Sequence, residues 1–362
     1  MNHSVLIIGN FLSVAGGSRG VCEDLAERLA SNGWKVVCAS RKRPRVLRLA
    51  DMILTAVRHR QKYSVAQIDV FSGSAFSWAE AVCWTLRQLG KPYVLTLHGG
   101  NLPAFAARWP RRVKRLLSSA RAVTAPSGYL QEKLKPYCQE IKVIPNPIDV
   151  GLYPYRERTP ARPKLAWLRA FHEIYNPVMA VKVVAALAQE FPDLELSMIG
   201  ADKCDGSFER TRVEADELGV ARHVRFPGQV AKRAVPEALA GADIFLNTSN
   251  FDNTPVSVIE AMASGLCVVT TNVGGMPHLL GQVKEALLVS PNAEEAMLQA
   301  VLRVLHEPAL AGTLSRNGRR KAETFNWSII LPRWEALLGE MATDAASPNH
   351  QRPASVPVAS SQ

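Results

Sequence analysis

Short apolar runs rich in β-branched residues alternate with longer segments of helical period along most of the chain. That alternation is the pattern of a parallel sheet whose strands are joined by crossover helices. In the first half, Val5–Ile8, Lys35–Ala39, Gln67–Val70, Tyr93–Leu97, Ala122–Ala125 and Ile141–Ile144 predict strands. A helix is expected around Cys22–Ser31, with Gly33 as its stop. Pro145-Asn146-Pro147 breaks the pattern, and Tyr153 to Pro163, polar and rich in proline and arginine, reads as an interdomain linker. The alternation then restarts, with strands predicted at Leu165–Leu168, Leu194–Ile199, Val224–Phe226, Ile244–Asn247, Cys267–Thr270 and Leu287–Val289. Helices are expected at Pro177–Gln189, Glu294–Leu305 and Trp327–Met341. The expected fold is α/β, with two Rossmann-like doubly wound domains (1–155 and 156–325) facing across a cleft, where ligands bind beyond the carboxyl ends of the strands. A helix at 326–344 is expected to return to the first domain, and the Ser/Pro/Ala/Gln-rich stretch 345–362 to be a disordered tail.

Composition narrows the function. The 362 residues are 47% hydrophobic and 21% charged, an ordinary globular balance. Phe, Trp and Tyr make up only 7%, too few to suggest a base-stacking surface, and no zinc-finger or RNA-recognition signature is present, so no nucleic-acid partner is expected. No run approaches the length of a membrane span. Val5–Ile8, with no basic residue before it, reads as a first strand and not as a secretory signal, which points to a cytoplasmic protein. The six cysteines are scattered with no C-x-x-C pair, and free thiols are expected. Charge is segregated: residues 1–120 hold 18 of the 43 Lys and Arg but 6 of the 32 Asp and Glu, a net +12 against −1 for the remainder. Such asymmetry implies an anionic partner for the first third, whether phosphate, nucleic acid or an acidic membrane surface.

The densest chemistry lies from Asn250 to Gly265. Thr254 suits an N-cap, Pro255 the first helical position and Gly265 the stop. The N-terminus of that helix offers unpaired N–H groups and the positive end of its dipole to a diphosphate. At 100° per residue, Glu260 falls on the apolar stripe, and a buried carboxylate needs a partner. A ribose diol is one candidate; a buried arginine or a neighbouring helix terminus is the other. The functional reading requires an opening from Glu260 toward the gap between the domains.

The same segment resembles the retaining nucleotide-sugar glycosyltransferases of glycosyltransferase family 4. Their signature is an acidic residue, seven intervening residues, Glu-Ala-Met-Ala-x-Gly and later Gly-Gly-x-Pro. This chain reads Asp252, then Glu260-Ala261-Met262-Ala263-Ser264-Gly265, then Gly274-Gly275-Met276-Pro277. The resemblance implies the GT-B fold, a nucleoside-diphosphate sugar (UDP- or GDP-linked) as donor, and retention at the anomeric carbon. It implies no cofactor and no metal. Glu260 would bind the ribose, Asn253, Thr254, Pro255 and Val256 would present the diphosphate site, and Asp252 would contact the donor sugar. Family members more often carry Glu at that position.

Other positions gain meaning from that likeness. Gly16-Gly17-Ser18-Arg19-Gly20 after the first strand is either a phosphate or sugar cradle or an ordinary turn. It is not G-x-G-x-x-G, and the second strand ends without the acidic residue a dinucleotide requires, which weighs against a dehydrogenase. His98, alone a common structural residue at a strand end, becomes a donor-sugar contact facing the cleft. Arg169 matches the arginine that neutralises the donor diphosphate. The lysine usual five residues later is Ile174 here, and Lys232 is its candidate substitute, the alternative being a solvated loop residue. Ser127 and Asn146 are expected to shape cleft loops. The basic, apolar-interleaved stretches Arg41 to Arg60 and Arg108 to Leu117 suit an anionic membrane surface, where a lipid-linked or glycan acceptor of cell-surface synthesis would sit, or simply form a soluble basic face. The rivals are a noncatalytic sugar-nucleotide or membrane-binding subunit, a nucleotide-sugar 2-epimerase, and a phosphorylase.

Overall fold

A computed structural model describes residues 3–13 and 20–344. Gly16 and Gly17 therefore lie outside the described residues, as does the expected tail from Ala345. The predicted alternation folds into two six-stranded, wholly parallel sheets. The first is built from β1 (Ser4–Ile8), β2 (Lys35–Ala39), β3 (Val65–Val70), β4 (Tyr93–Leu97), β5 (Ala122–Ala125) and β6 (Lys142–Val143), in the order β2-β1-β3-β4-β5-β6. The second contains β7 (Lys164–Leu168), β8 (Glu195–Ile199), β9 (Val224–Gly228), β10 (Ile244–Asn247), β11 (Cys267–Thr271) and β12 (Ala286–Val289), in the order β12-β11-β10-β7-β8-β9.

Each sheet is covered on both faces by helices, which is why its central strands are near-continuous apolar runs. β4, β10 and β11 are buried at every position. Strand order reverses between β1 and β3, paired Val5 to Val65, and again between β7 and β10, paired Ile244 to Leu165. Those two switch points are where a crevice opens beyond the strand ends, and both become occupied by polar residues below.

The stretch from Ile148 to Arg162 is fastened to the second lobe. Ile148, Val150 and Tyr153 join its core, and Arg156, Arg158 and Arg162 converge on Asp243, which has no exposed surface. The last helix, Trp327–Asp344, lays Trp327, Ile330, Trp334 and Leu338 against β1 and the helix Val21–Ser31 of the first lobe. The backbone passes between the lobes twice, side by side: Ile148 N donates to Phe325 O at 2.9 Å and Trp327 N to Ile148 O at 3.2 Å.

Several predicted boundaries shift by one or two residues. The strand predicted at Ile141–Ile144 is reduced to β6, because Pro145 and Pro147 follow directly and cannot donate to a ladder. The basic stretch Arg41 to Arg60 contains a regular helix, Arg45–Arg58. All six cysteines are free thiols. Among the described residues, no helix is long and apolar enough to cross a membrane.

Candidate active site

The loop after β10 and the short helix Val256–Ala263 form one wall of the gap between the lobes. The helix begins one residue later than the sequence predicts. Pro255, at φ −70° and ψ 114°, occupies the cap, and no side chain caps the helix. Thr254 is therefore not the N-cap. Its Oγ1 is buried without a hydrogen-bond partner, as is the Oγ of Ser257. Two orphaned hydroxyls beside uncapped N–H groups form a polar end that calls for an anionic ligand. The helix ends as expected, with Gly265 at φ +78°.

Gly274 and Gly275 set the position of this loop. A Cβ on Gly274 would lie 1.8 Å from Asp252 O, and one on Gly275 1.7 Å from Asn253 O. Gly275 N also donates to Asp252 O at 2.9 Å. The Gly-Gly pair thus acts as a rest against which Asp252 and Asn253 are pressed toward the cleft. From the other side, Asn250 N donates to Ile174 O at 2.8 Å, and Thr248 Oγ1 bridges Trp167 Nε1 and Tyr175 O.

Arg169, just past β7, forms an ion pair with Asp252 and lies 4.9 Å from the Tyr175 ring centre. Burial pushes its guanidinium down to about 10, with Tyr175 and Glu260 acting in the opposite sense. It remains a cation at neutral pH. Ile174, in the position of the usual lysine, is half-exposed and lines the cleft without a charge.

Glu260 is only 3% exposed. Its Oε1 accepts from Tyr153 Oη at 2.6 Å and pairs with Lys232 Nζ. The expected alternatives, a buried arginine or a helix terminus, are not its partners. The Lys232 side chain is itself 58% exposed, so one flexible ammonium stem covers the carboxylate on its outer side. Lys232 is accordingly an ion-paired residue rather than a free one. Burial beside Glu260 pushes the Tyr153 hydroxyl well above its usual range, so it is a donor at every working pH.

On the facing lobe, His98 follows β4 and its Nε2 lies 3.0 Å from Asp69 Oδ1, with the ring stacked on Phe71. Asp69 also accepts from Gln67 Nε2 at 2.8 Å, and Gln67 in turn bonds Thr96. Sequence reading missed Asp69 and Tyr153. The signal for Asp69 was a polar pair, Gln67 and Asp69, two residues apart inside an otherwise apolar strand.

A cleft of about 660 Å³ joins these parts. His98, Gly99 and Asn146 line it from the first lobe, and Ile174, Tyr175, Asp252, Asn253 and Thr254 from the second. Ser127 Oγ donates across it to Asn253 Oδ1 at 2.5 Å, and Tyr129 meets Phe251 edge-on. Arg169 enters through its pair with Asp252. Pro255, Val256 and Glu260 are not part of the cleft lining, nor is Lys232, which comes from the turn Lys232–Ala234; the opening expected from Glu260 toward the gap is covered by the Lys232 side chain.

Comparison with known proteins gives a consistent picture. The family model described as Glycosyltransferase Family 4 matches residues 15–152, and that described as Glycosyl transferases group 1 matches residues 160–321. TuaC of Bacillus subtilis, named for teichuronic acid biosynthesis as a glycosyltransferase, is 28% identical over 72% of this chain and 66% of its own length. An MMP α-(1→4)-mannosyltransferase of Mycolicibacterium hassiacum is 25% identical over 70% of this chain and 66% of its own. The matched stretch thus spans just under two thirds of either relative. The chain superposes on sucrose-phosphate synthase from Thermosynechococcus elongatus with a TM-score of 0.77 at 20% identity, covering 96% of this chain and 100% of that one. Anabaena HepE in complex with UDP gives 0.74 at 16% identity, covering 94% and 100%. At these identities the two structures establish the shared two-lobed GT-B fold.

Proposed function

The chain belongs to the glycosyltransferases of the group 1 and family 4 type, and we propose on that premise that it moves a sugar from a nucleoside diphosphate to a hydroxyl acceptor with retention at the anomeric carbon. The observation that carries this reading is the convergence of Asp252, Asn253, Thr254 and His98, from two lobes, on one cleft at the carboxyl ends of the strands. In this reading Glu260 binds the ribose, exchanging its Lys232 contact for the two hydroxyls while Tyr153 keeps its own. The diphosphate lies at the start of the helix Val256–Ala263, where Thr254 and Ser257 supply the unpaired hydroxyls. Released Lys232 and Arg169 face the charge that grows on the departing phosphate, the role a metal ion fills in other transferases. Asp252 turns from Arg169 to the sugar hydroxyls, and His98, held by Asp69, contacts the sugar from the opposite wall. The leaving phosphate takes the acceptor proton on the same face, so no protein base is assigned.

For the acceptor, the reading is a glycan or lipid-linked intermediate of cell-surface synthesis. Exposed Val46, Leu47, Trp84 and Trp109 among the basic residues of the first lobe suit a peripheral position on an anionic membrane surface. The second reading, a noncatalytic sugar-nucleotide subunit, draws support from Ile174 and from the engagement of Arg169 by Asp252. Nucleotide release from UDP- and GDP-sugars, measured with and without hydroxyl acceptors, tests the proposal. Acceptor-dependent release is expected. Acceptor-independent interconversion of the donor would indicate an epimerase, and binding without any turnover the noncatalytic subunit.

A further inference from the structure

We propose that the acceptor carries a phosphate group, held in a separate cavity of the first lobe by Arg43, Arg45 and Arg48 with Trp78 as a wall. The proposal rests on the glycosyl-transfer reading and adds the substrate class to it. The cavity, about 310 Å³, opens beyond the ends of β1 and β3, at the point where strand order reverses.

Arg48 is the strongest observation. It is 9% exposed, yet among the described residues no carboxylate forms an ion pair with it. Its Nε donates to Lys42 O at 2.8 Å and its Nη1 to Asn10 Oδ1 at 3.0 Å, and its guanidinium lies 5.7 Å from the Trp78 ring centre. The Nη2 group donates to no described residue and belongs to a side chain that lines the cavity. A buried cation without a counterion is costly unless an anion completes the site. Burial also lowers its pKa, the direction an unpaired cation takes.

Arg43 and Arg45 stand exposed on the same rim, likewise without an acidic partner among the described residues. In the second lobe, by contrast, Arg156, Arg158 and Arg162 gather around the carboxylate of Asp243, and in the first lobe Arg112 pairs with Glu80. The one carboxylate lining this cavity, Asp69, is held by Gln67 and His98 instead. Three guanidinium forks around one small space match a doubly charged, many-oxygen group better than a single carboxylate.

Location supports the assignment. Asp69 and Phe71 line the cavity, and both touch His98, which lines the interlobe cleft. A molecule anchored by phosphate at the arginines would therefore extend its hydroxyl past His98 toward the donor sugar. The phosphate can belong to a soluble sugar phosphate or to a lipid-linked diphosphate, and the test separates them.

Calorimetry on the full chain, with the donor site saturated by UDP or GDP, would use glucose 6-phosphate, farnesyl diphosphate and methyl glucoside as probes. A phosphate-bearing probe should bind, and methyl glucoside should not. The Arg43→Gln/Arg45→Gln pair, both exposed and therefore tolerated by the fold, should weaken phosphate binding by about tenfold or more. Nucleotide affinity should stay within about twofold. Binding of glucose 6-phosphate would identify a soluble acceptor, and binding of farnesyl diphosphate alone a lipid-linked one; either upholds the proposal. Equal phosphate affinity in the double variant, or no phosphate binding by a protein that binds nucleotide, overturns it. Failure to bind UDP or GDP at all counts against the glycosyl-transfer reading instead.

Discussion

At the scale of single residues, the site is a set of polar groups paired with each other, and in the proposed reading a substrate replaces one partner. Lys232 covers Glu260, and Arg169 holds Asp252. His98 differs, because its partner Asp69 stays in place and fixes the ring. Asp69→Asn keeps the shape but removes the charge that orients His98, and kcat/KM should fall by about tenfold to a hundredfold with nucleotide affinity unchanged. Steady-state kinetics with a working donor and acceptor checks this. Much of this scale was legible beforehand: Asp252, Glu260, Arg169 and His98 stand in recognisable sequence surroundings. Asp69 and Tyr153 were not, because their partners lie 29 and 107 residues away. Thr254 misled, since a good capping residue was used to leave a hydroxyl free rather than to close the helix.

At the scale of elements, two close approaches carry the architecture. Gly275→Ala would drive a methyl group into Asn253 O, so the loop must move; activity should be lost while the sheets survive, visible as unchanged circular dichroism with no turnover. The helix Pro308–Glu323 escaped sequence reading for a related reason. Gly312 and Gly318 lower its intrinsic propensity, but at Gly318 the helix passes so near Met262 that a Cβ would sit 3.3 Å away. Packing decided there, against local preference. The linker segment is likewise an element of the second lobe, through Asp243. Burial pushes that carboxyl up, but hydrogen bonds from Arg162 and Arg156 outweigh it and the net shift is downward from 3.8. A carboxylate lowered on folding contributes stability that is present above its unfolded value and lost as pH falls through the folded one. Thermal melts should therefore show this contribution intact at neutral pH and fading below about pH 4. Asp243→Asn should remove that acid-dependent part and cost about 3–5 kcal/mol at neutral pH, because Arg158 is left buried without its counterion.

At the scale of the whole molecule, two sheets are joined by two adjacent chain crossings and by a final helix that returns to the first lobe. The strand pattern made the two doubly wound units readable, since parallel strands buried on both faces leave an unmistakable apolar run. The cleft between them was expected from the strand pattern, since ligands bind beyond the carboxyl ends of such strands, but no local pattern specifies which side chains meet across it. The returning helix makes the first lobe depend on the chain's end. Trp334→Ala should destabilise that lobe by about 3–5 kcal/mol, seen in denaturant unfolding as an earlier transition of the first lobe alone. The same two-lobed plan places an acidic, hydroxyl-bearing wall opposite a lobe of excess positive charge. The account as a whole depends on the helix Val256–Ala263 holding the nucleotide, and calorimetric titration of UDP and GDP into wild type and Glu260→Ala tests that most directly. The wild type should bind one of them, and the variant should lose about tenfold or more in affinity while melting cooperatively; equal affinity in the two proteins would contradict it.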